Sequence, residues 1–144
     1  MDVEKNKTIA RRFVQIWGKG DPDLIDEIAS PEITLYYPAL PRVAKGIAAV
    51  KKFFTVGIPS IFGDRDVQVD EVIAEGEKVV VRWSFSVTHI GEWPLGTPAT
   101  GKRLKWTGIT IYHIVNGRVV DEKGEEDYFG AFRQLGIIPK PPTQ

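Results

Sequence analysis

The chain has 144 residues with no cysteine, two histidines and one methionine, and nineteen Lys plus Arg balance nineteen Asp plus Glu to a net charge of zero. This length predicts one domain burying roughly 70% of its unfolded surface, and the lack of cysteine excludes disulfide and thiolate-metal scaffolds. Zero net charge argues against a nucleic-acid partner, and 42% hydrophobic with 26% charged residues excludes a disordered or fibrous chain.

The first half reads as helices. Ile9, Phe13, Ile16 and Trp17 fall on one face of a helix from Val3 to Trp17, which Gly18 and Gly20 stop. Asp21-Pro22 then supplies an N-cap followed by proline at the first helical position. Leu24, Ile25 and Ile28 line a short second helix that ends before Ser30-Pro31. Ile33 to Tyr37 predicts a brief strand closed by Pro38 and Pro41. Gly46 opens a third helix with Ile47, Val50, Phe53 and Phe54 on its inner side.

The second half reads as strands. Val67, Val69 and Val72 alternate with polar residues before a turn at Glu75-Gly76-Glu77-Lys78. From Val79 to Ile90 one face carries Val79, Val81, Trp83, Phe85, Val87 and His89, while Arg82, Ser84, Ser86 and Thr88 occupy the other. A Gly/Pro-rich connection from Gly91 to Gly101 leads into a strand from Arg103 to Val115. Asn116-Gly117 predicts a type I′ hairpin into a strand starting at Arg118. Phe129, Phe132 and Leu135 predict a closing helical turn capped by Gly136. Helices followed by an antiparallel meander predict an α+β fold whose curved sheet wraps the helices and leaves an apolar pocket. Residues 1–138 form the expected single domain and 139–144 a loose tail.

No apolar run reaches the ~18 residues of a membrane span, and Met1-Asp2-Val3-Glu4-Lys5 lacks the apolar stretch of a secretory signal. The expected location is cytoplasmic, so the sequon Asn6-Lys7-Thr8 is a chance match.

Chemical motifs are few. Residues 96–102 match GxxxxGK, but Arg103 stands where Ser or Thr is needed and the stretch joins two strands, so no nucleotide site is expected. Cysteine and G-x-S-x-G nucleophiles are absent. His89, Glu92, His113 and Asp127 could converge on a metal, but nothing in their spacing demands it and no metal is expected. His89 continues an aromatic strand face beside a Gly/Pro-rich loop, which suits a pocket residue or a satisfied core histidine. Residues 121–127 form the densest ionisable stretch, either a solvated strand end or the source of one desolvated carboxylate base. Tyr36, Tyr37, Tyr112 and the tryptophans at 17, 83, 93 and 106 supply aromatic surface for a flat hydrophobic ligand, or for the core.

Several stretches in order resemble the SnoaL-like polyketide cyclases of the nuclear-transport-factor-2-like superfamily. They are Gly20-Asp21-Pro22-Asp23-Leu24-Ile25, residues 73–83, Thr88-His89-Ile90-Gly91-Glu92, Pro98-Ala99-Thr100-Gly101-Lys102, Asn116-Gly117-Arg118-Val119-Val120 and Gln134-Leu135-Gly136. The resemblance implies a cone-shaped α+β barrel, a deep apolar cavity and a homodimer formed through the sheet. It also implies a cofactor-free aldol cyclase or isomerase acting on a hydrophobic carbonyl compound. Asp127, seven residues before Gln134, matches the family acid/base, and His89 matches a family histidine that would polarise the carbonyl or stabilise the enolate. Tyr36, Trp83, Phe85, Trp106, Tyr112 and Lys123 are the expected substrate contacts, Lys123 replacing a family tryptophan. A non-catalytic ligand-binding or dimerisation module is the alternative function, and an epoxide or ester hydrolase using the same carboxylate is a third.

Overall fold

The computed structural model describes every residue except 1, 41–42, 140–141 and 143–144. Pro41, expected to help close the first strand, and most of the expected tail lie outside the described residues.

Asp2 caps α1 (Val3–Val14) by accepting from the Lys5 amide, and the helix buries Ile9, Ala10, Phe13 and Val14. The predicted long first helix is broken at Gln15: α2 (Ile16–Lys19) follows as one short turn, ended by Gly20 in the left-handed conformation. A side chain at Gly20 would also meet the Phe54 carbonyl at 2.9 Å, so glycine is needed there twice over. α3 (Pro22–Ile28) starts as predicted, with the Asp21 carboxylate accepting from the Asp23 and Leu24 amides.

β1 (Ala29–Tyr36) begins earlier than the sequence suggests and contains Pro31. The proline is tolerated because the pairing with its neighbour is irregular between Ala29 and Thr34. β2 (Ala44–Lys45) forms an edge. The predicted third helix is α4 (Ile47–Lys52), a π-helical turn (Phe53–Gly57) and α5 (Ile58–Ile61) in succession. The wider turn separates two adjacent phenylalanines: Phe54 is fully buried, and Phe53 is only partly so.

The long strands are β3 (Phe62–Glu75), β4 (Lys78–His89), β5 (Arg103–Val115) and β6 (Arg118–Glu126), and α6 (Tyr128–Leu135) closes the fold. The sheet order is β2-β1-β6-β5-β4-β3. The predicted meander holds from β3 to β6, but the sheet is not wholly antiparallel, because β1 pairs parallel to β6. β1 leaves the helical segment and joins the free side of the last strand, so the crossover fixes its direction. Asn116 and Gly117 both have positive φ, as a type I′ turn requires, and Val115 pairs with Arg118 across it.

The concave face of the sheet meets α1 and α2 in one hydrophobic core. All six residues predicted on the inner face of β4 are buried. The convex face exposes Ile73, Ile109 and Ile111, and the row Ile73–Val80–Ile111 runs in register across β3, β4 and β5. No helix among the described residues is long and apolar enough to cross a membrane.

Candidate active site

Where α2, the π-helical turn and α5 approach β4–β6, the core opens into a cavity of about 200 Å³. Its walls are mostly aromatic: Trp17, Phe53, Phe62, Phe85, Trp93 and Trp106. Trp93 and Trp106 stack with centroids 5.7 Å apart and planes 18° from parallel, while Phe62 and Phe85 meet this pair edge-on or tilted. Such a slot favours a flat, apolar molecule.

One carboxylate enters this apolar space. Glu126, the last residue of β6, lines the cavity and accepts a 2.8 Å hydrogen bond from the Trp106 indole on Oε1 and another from the Tyr128 hydroxyl on Oε2. Burial raises its pKa above the usual carboxylate range, and the two hydrogen bonds, which favour the charged form, offset part of that rise. Burial beside Glu126 raises the Tyr128 phenol too, so it stays protonated and keeps a proton to donate.

A second acid lies one layer deeper. Glu122 is fully buried, and its Oε2 accepts from the Trp17 indole at 3.0 Å and from the Tyr37 hydroxyl at 2.8 Å. Thr110 Oγ1 stands 2.8 Å from the Tyr37 oxygen and accepts from the Trp83 indole at 2.9 Å. With the Tyr37 proton committed to Glu122, Thr110 donates to Tyr37, and the chain of donors runs from Trp83 through Thr110 and Tyr37 to the carboxylate. Among the described residues, Glu122 Oε1 and the Tyr112 hydroxyl have no hydrogen-bond partner, although the phenol is close enough to bias the acid. Burial raises the Glu122 pKa to about 7 against the pull of its donors, and the charge of Glu126 adds to the rise.

Gly124, between the two acids, makes this arrangement possible. A Cβ there would lie 1.8 Å from the Tyr37 ring, so only glycine lets Tyr37 cross β6 to reach Glu122 and Thr110. Gly108 does the same for Trp83, whose ring would be 2.3 Å from an added Cβ.

The expected site residues divide. Phe85 and Trp106 line the cavity, and Trp83 lines a small recess that shares Trp17, Phe85 and Glu126 with it. Asp127 does not face the cavity: it is exposed at the N-terminus of α6, where its carboxylate accepts from the Gly130 amide. Lys123 also points outward, its side chain 65% exposed and 3.3 Å from Asp121. Tyr36 is exposed, and its neighbour Tyr37 is the tyrosine that turns inward. Tyr112 is buried behind the cavity, edge-on to Phe13 and facing Glu122.

His89 is fully buried on the predicted face but does not line the cavity. Its Nδ1 accepts from the Thr100 amide at 3.2 Å and lies 2.9 Å from the Thr100 hydroxyl, which leaves the ring proton on Nε2, unpartnered among the described residues. His89 thereby ties down the 91–101 loop that carries Trp93 over the cavity. The four candidate metal ligands do not converge, since His113 pairs with Lys78 at the far end of β4 from His89 and binds Glu77 at 3.1 Å.

The family model for SnoaL-like polyketide cyclases matches residues 7–135. The chain is 27% identical over 135 residues to the aklanonic acid methyl ester cyclase DauD of Streptomyces sp. strain C5, covering 89% of this chain and 80% of that protein. It is 26% identical over 133 residues to the aklanonic acid methyl ester cyclase DnrD of Streptomyces peucetius, covering 89% and 88%. Among solved structures, TsrD from Streptomyces laurentii superposes with a TM-score of 0.81 at 30% identity, over 96% of this chain and 99% of that one.

Proposed function

Because the chain belongs to the SnoaL-like polyketide cyclase family, we propose that it is a cyclase-type proton-transfer enzyme for a flat, hydrophobic carbonyl compound, with Glu126 as its general base. One observation carries this reading: Glu126 is the acid that lines the aromatic cavity. Its two hydrogen-bond donors fix its orientation. Its raised pKa makes it a stronger base than a solvated carboxylate.

A proton on a carbon flanked by carbonyls is acidic enough for such a base without a cofactor. Glu126 takes that proton, and the C–H electron pair passes into an enolate. Hydrogen bonds to charged acceptors are roughly twice as strong as neutral ones, so protonation of Glu126 loosens its hold on Tyr128. The phenol is then free to donate to the enolate oxygen. The enolate carbon attacks a second carbonyl of the same molecule, and Glu126 returns its proton to the new alkoxide.

Proton abstraction can be observed without the natural substrate. In D2O the protein is expected to accelerate deuterium incorporation at C1 of 2-tetralone, a flat bicyclic ketone, as followed by proton NMR. Exchange no faster than with the Glu126→Gln protein would sink the assignment. The reading also includes a homodimer joined through the convex sheet face, where Ile73, Val80 and Ile111 form an apolar row. Sedimentation equilibrium should then give a dimer that Ile111→Glu dissociates, and a monomeric wild-type protein would refute the pairing.

A further inference from the structure

The cavity has a neighbour on the molecular surface. A groove of about 890 Å³ runs between β2, α4 and the π-helical turn, and Leu40 and Phe53 line both it and the cavity. These two half-buried side chains therefore form the wall that the cavity and the groove share. The groove is apolar along its length, with Val43 38% and Val56 58% exposed. Two exposed cations, Lys45 at the end of β2 and Lys52 at the end of α4, line it as well. Neither forms an ion pair among the described residues, in contrast to Lys51, whose ammonium lies 2.7 Å from Asp26.

Size and charge together indicate an occupant. About 200 Å³ is below the roughly 300–1,000 Å³ of ordinary small-molecule pockets, so a ligand of that class has to extend beyond the inner cavity. Inside, the carboxylate of Glu126 repels an anion. Outside, beyond Leu40 and Phe53, two lysines attract one, and an apolar floor lies between. We infer that the groove is the outer half of the substrate site, and that the substrate is an amphiphile with a neutral carbonyl-bearing ring system in the cavity and an anionic tail, such as a carboxylate, against Lys45 and Lys52. This inference rests on the cavity being the substrate site. It adds a substrate orientation, with the neutral end buried and the charged end out, and makes the two lysines specificity residues.

Binding tests it independently of turnover, because Trp17, Trp93 and Trp106 in the cavity wall report ligand through fluorescence quenching. The probes are 6-(2-naphthyl)hexanoate and its primary amide, which differ only in the charge at the tail. The carboxylate is expected to bind about five- to tenfold more tightly at low salt, the effect of two exposed ion pairs. The preference should fade in 1 M NaCl, where screening is within about 3 Å. It should vanish in Lys45→Gln/Lys52→Gln and persist in Lys5→Gln/Lys78→Gln, which removes equal charge far from the groove. It should also persist in Glu126→Gln, so a Glu126→Gln protein that still prefers the anion and keeps near-normal turnover would refute the base while leaving the groove intact. Equal affinity for the two probes, or a preference that survives loss of Lys45 and Lys52, overturns the inference.

Discussion

Replacing Glu126 by Gln is expected to lower kcat/KM for proton abstraction by about 10²–10⁴-fold, the usual contribution of a positioned general base. Asp127→Asn should leave the rate within about threefold, since asparagine caps a helix as well as aspartate does. The two residues are adjacent in sequence, but their surroundings differ. Glu126 has aromatic walls and two fixed donors, whereas the carboxylate of Asp127 lies in solvent and serves the first turn of α6. Glutamine is nearly isosteric with Glu126 and can still accept from Trp106 or Tyr128, so the substitution removes basicity with little change of shape. Steady-state rates with any substrate that reports enolisation would check the pair. A collapse in Asp127→Asn with near-normal turnover in Glu126→Gln would transfer the base to the surface residue and require α6 to move during the reaction.

This one-position difference shows where the sequence was legible. The inner face of β4 follows strict alternation over twelve residues, and every one of its six members is buried. In β1 the same alternation through Ile33 and Leu35 points to Tyr37 as the inward tyrosine, so that information was present. β6 is different. Its inward face starts at Val119, and regular alternation would continue it through 121, 123, 125 and 127, the set that contains both Lys123 and Asp127. Instead β6 holds one extra residue against β5: Ile114 pairs with Val119, but His113 pairs with Asp121. That bulge at Val120 exchanges the two faces, turning Glu122, Gly124 and Glu126 inward. The flanking residues carry no glycine or proline to announce it. Gly124 is the one local clue, because a glycine within a strand signals the close approach of something else, here the Tyr37 ring. The depth of the cavity was equally hidden. Tyr112 is on the inward face as alternation requires, yet Phe13 of α1 packs against it and closes that end, a contact set by helix placement.

Glu122→Gln is expected to stabilise the protein above neutral pH. In the folded chain Glu122 titrates near 7 against about 4.5 when exposed, because burial disfavours its charged form more than Trp17 and Tyr37 favour it. Between those two values the folded state binds more protons than the unfolded state, so stability falls as pH rises through the window. The contribution is intact below pH 4.5 and lost above pH 7, a change on the order of 3 kcal/mol. Glutamine stays neutral throughout. Its oxygen can accept from Trp17 and Tyr37 as Oε2 does now, and its amide nitrogen would stand at Oε1, facing the otherwise unpartnered Tyr112 hydroxyl. Urea unfolding at pH 5 and pH 8.5 should therefore give similar free energies for the two proteins at the lower pH and a clear advantage for the variant at the higher. Burial of Glu126 slopes both curves in the same direction, so the difference between them isolates Glu122. Parallel curves across the whole range would mean that Glu122 ionises at its ordinary pKa, with a water or a rearranged Tyr112 hydroxyl solvating Oε1.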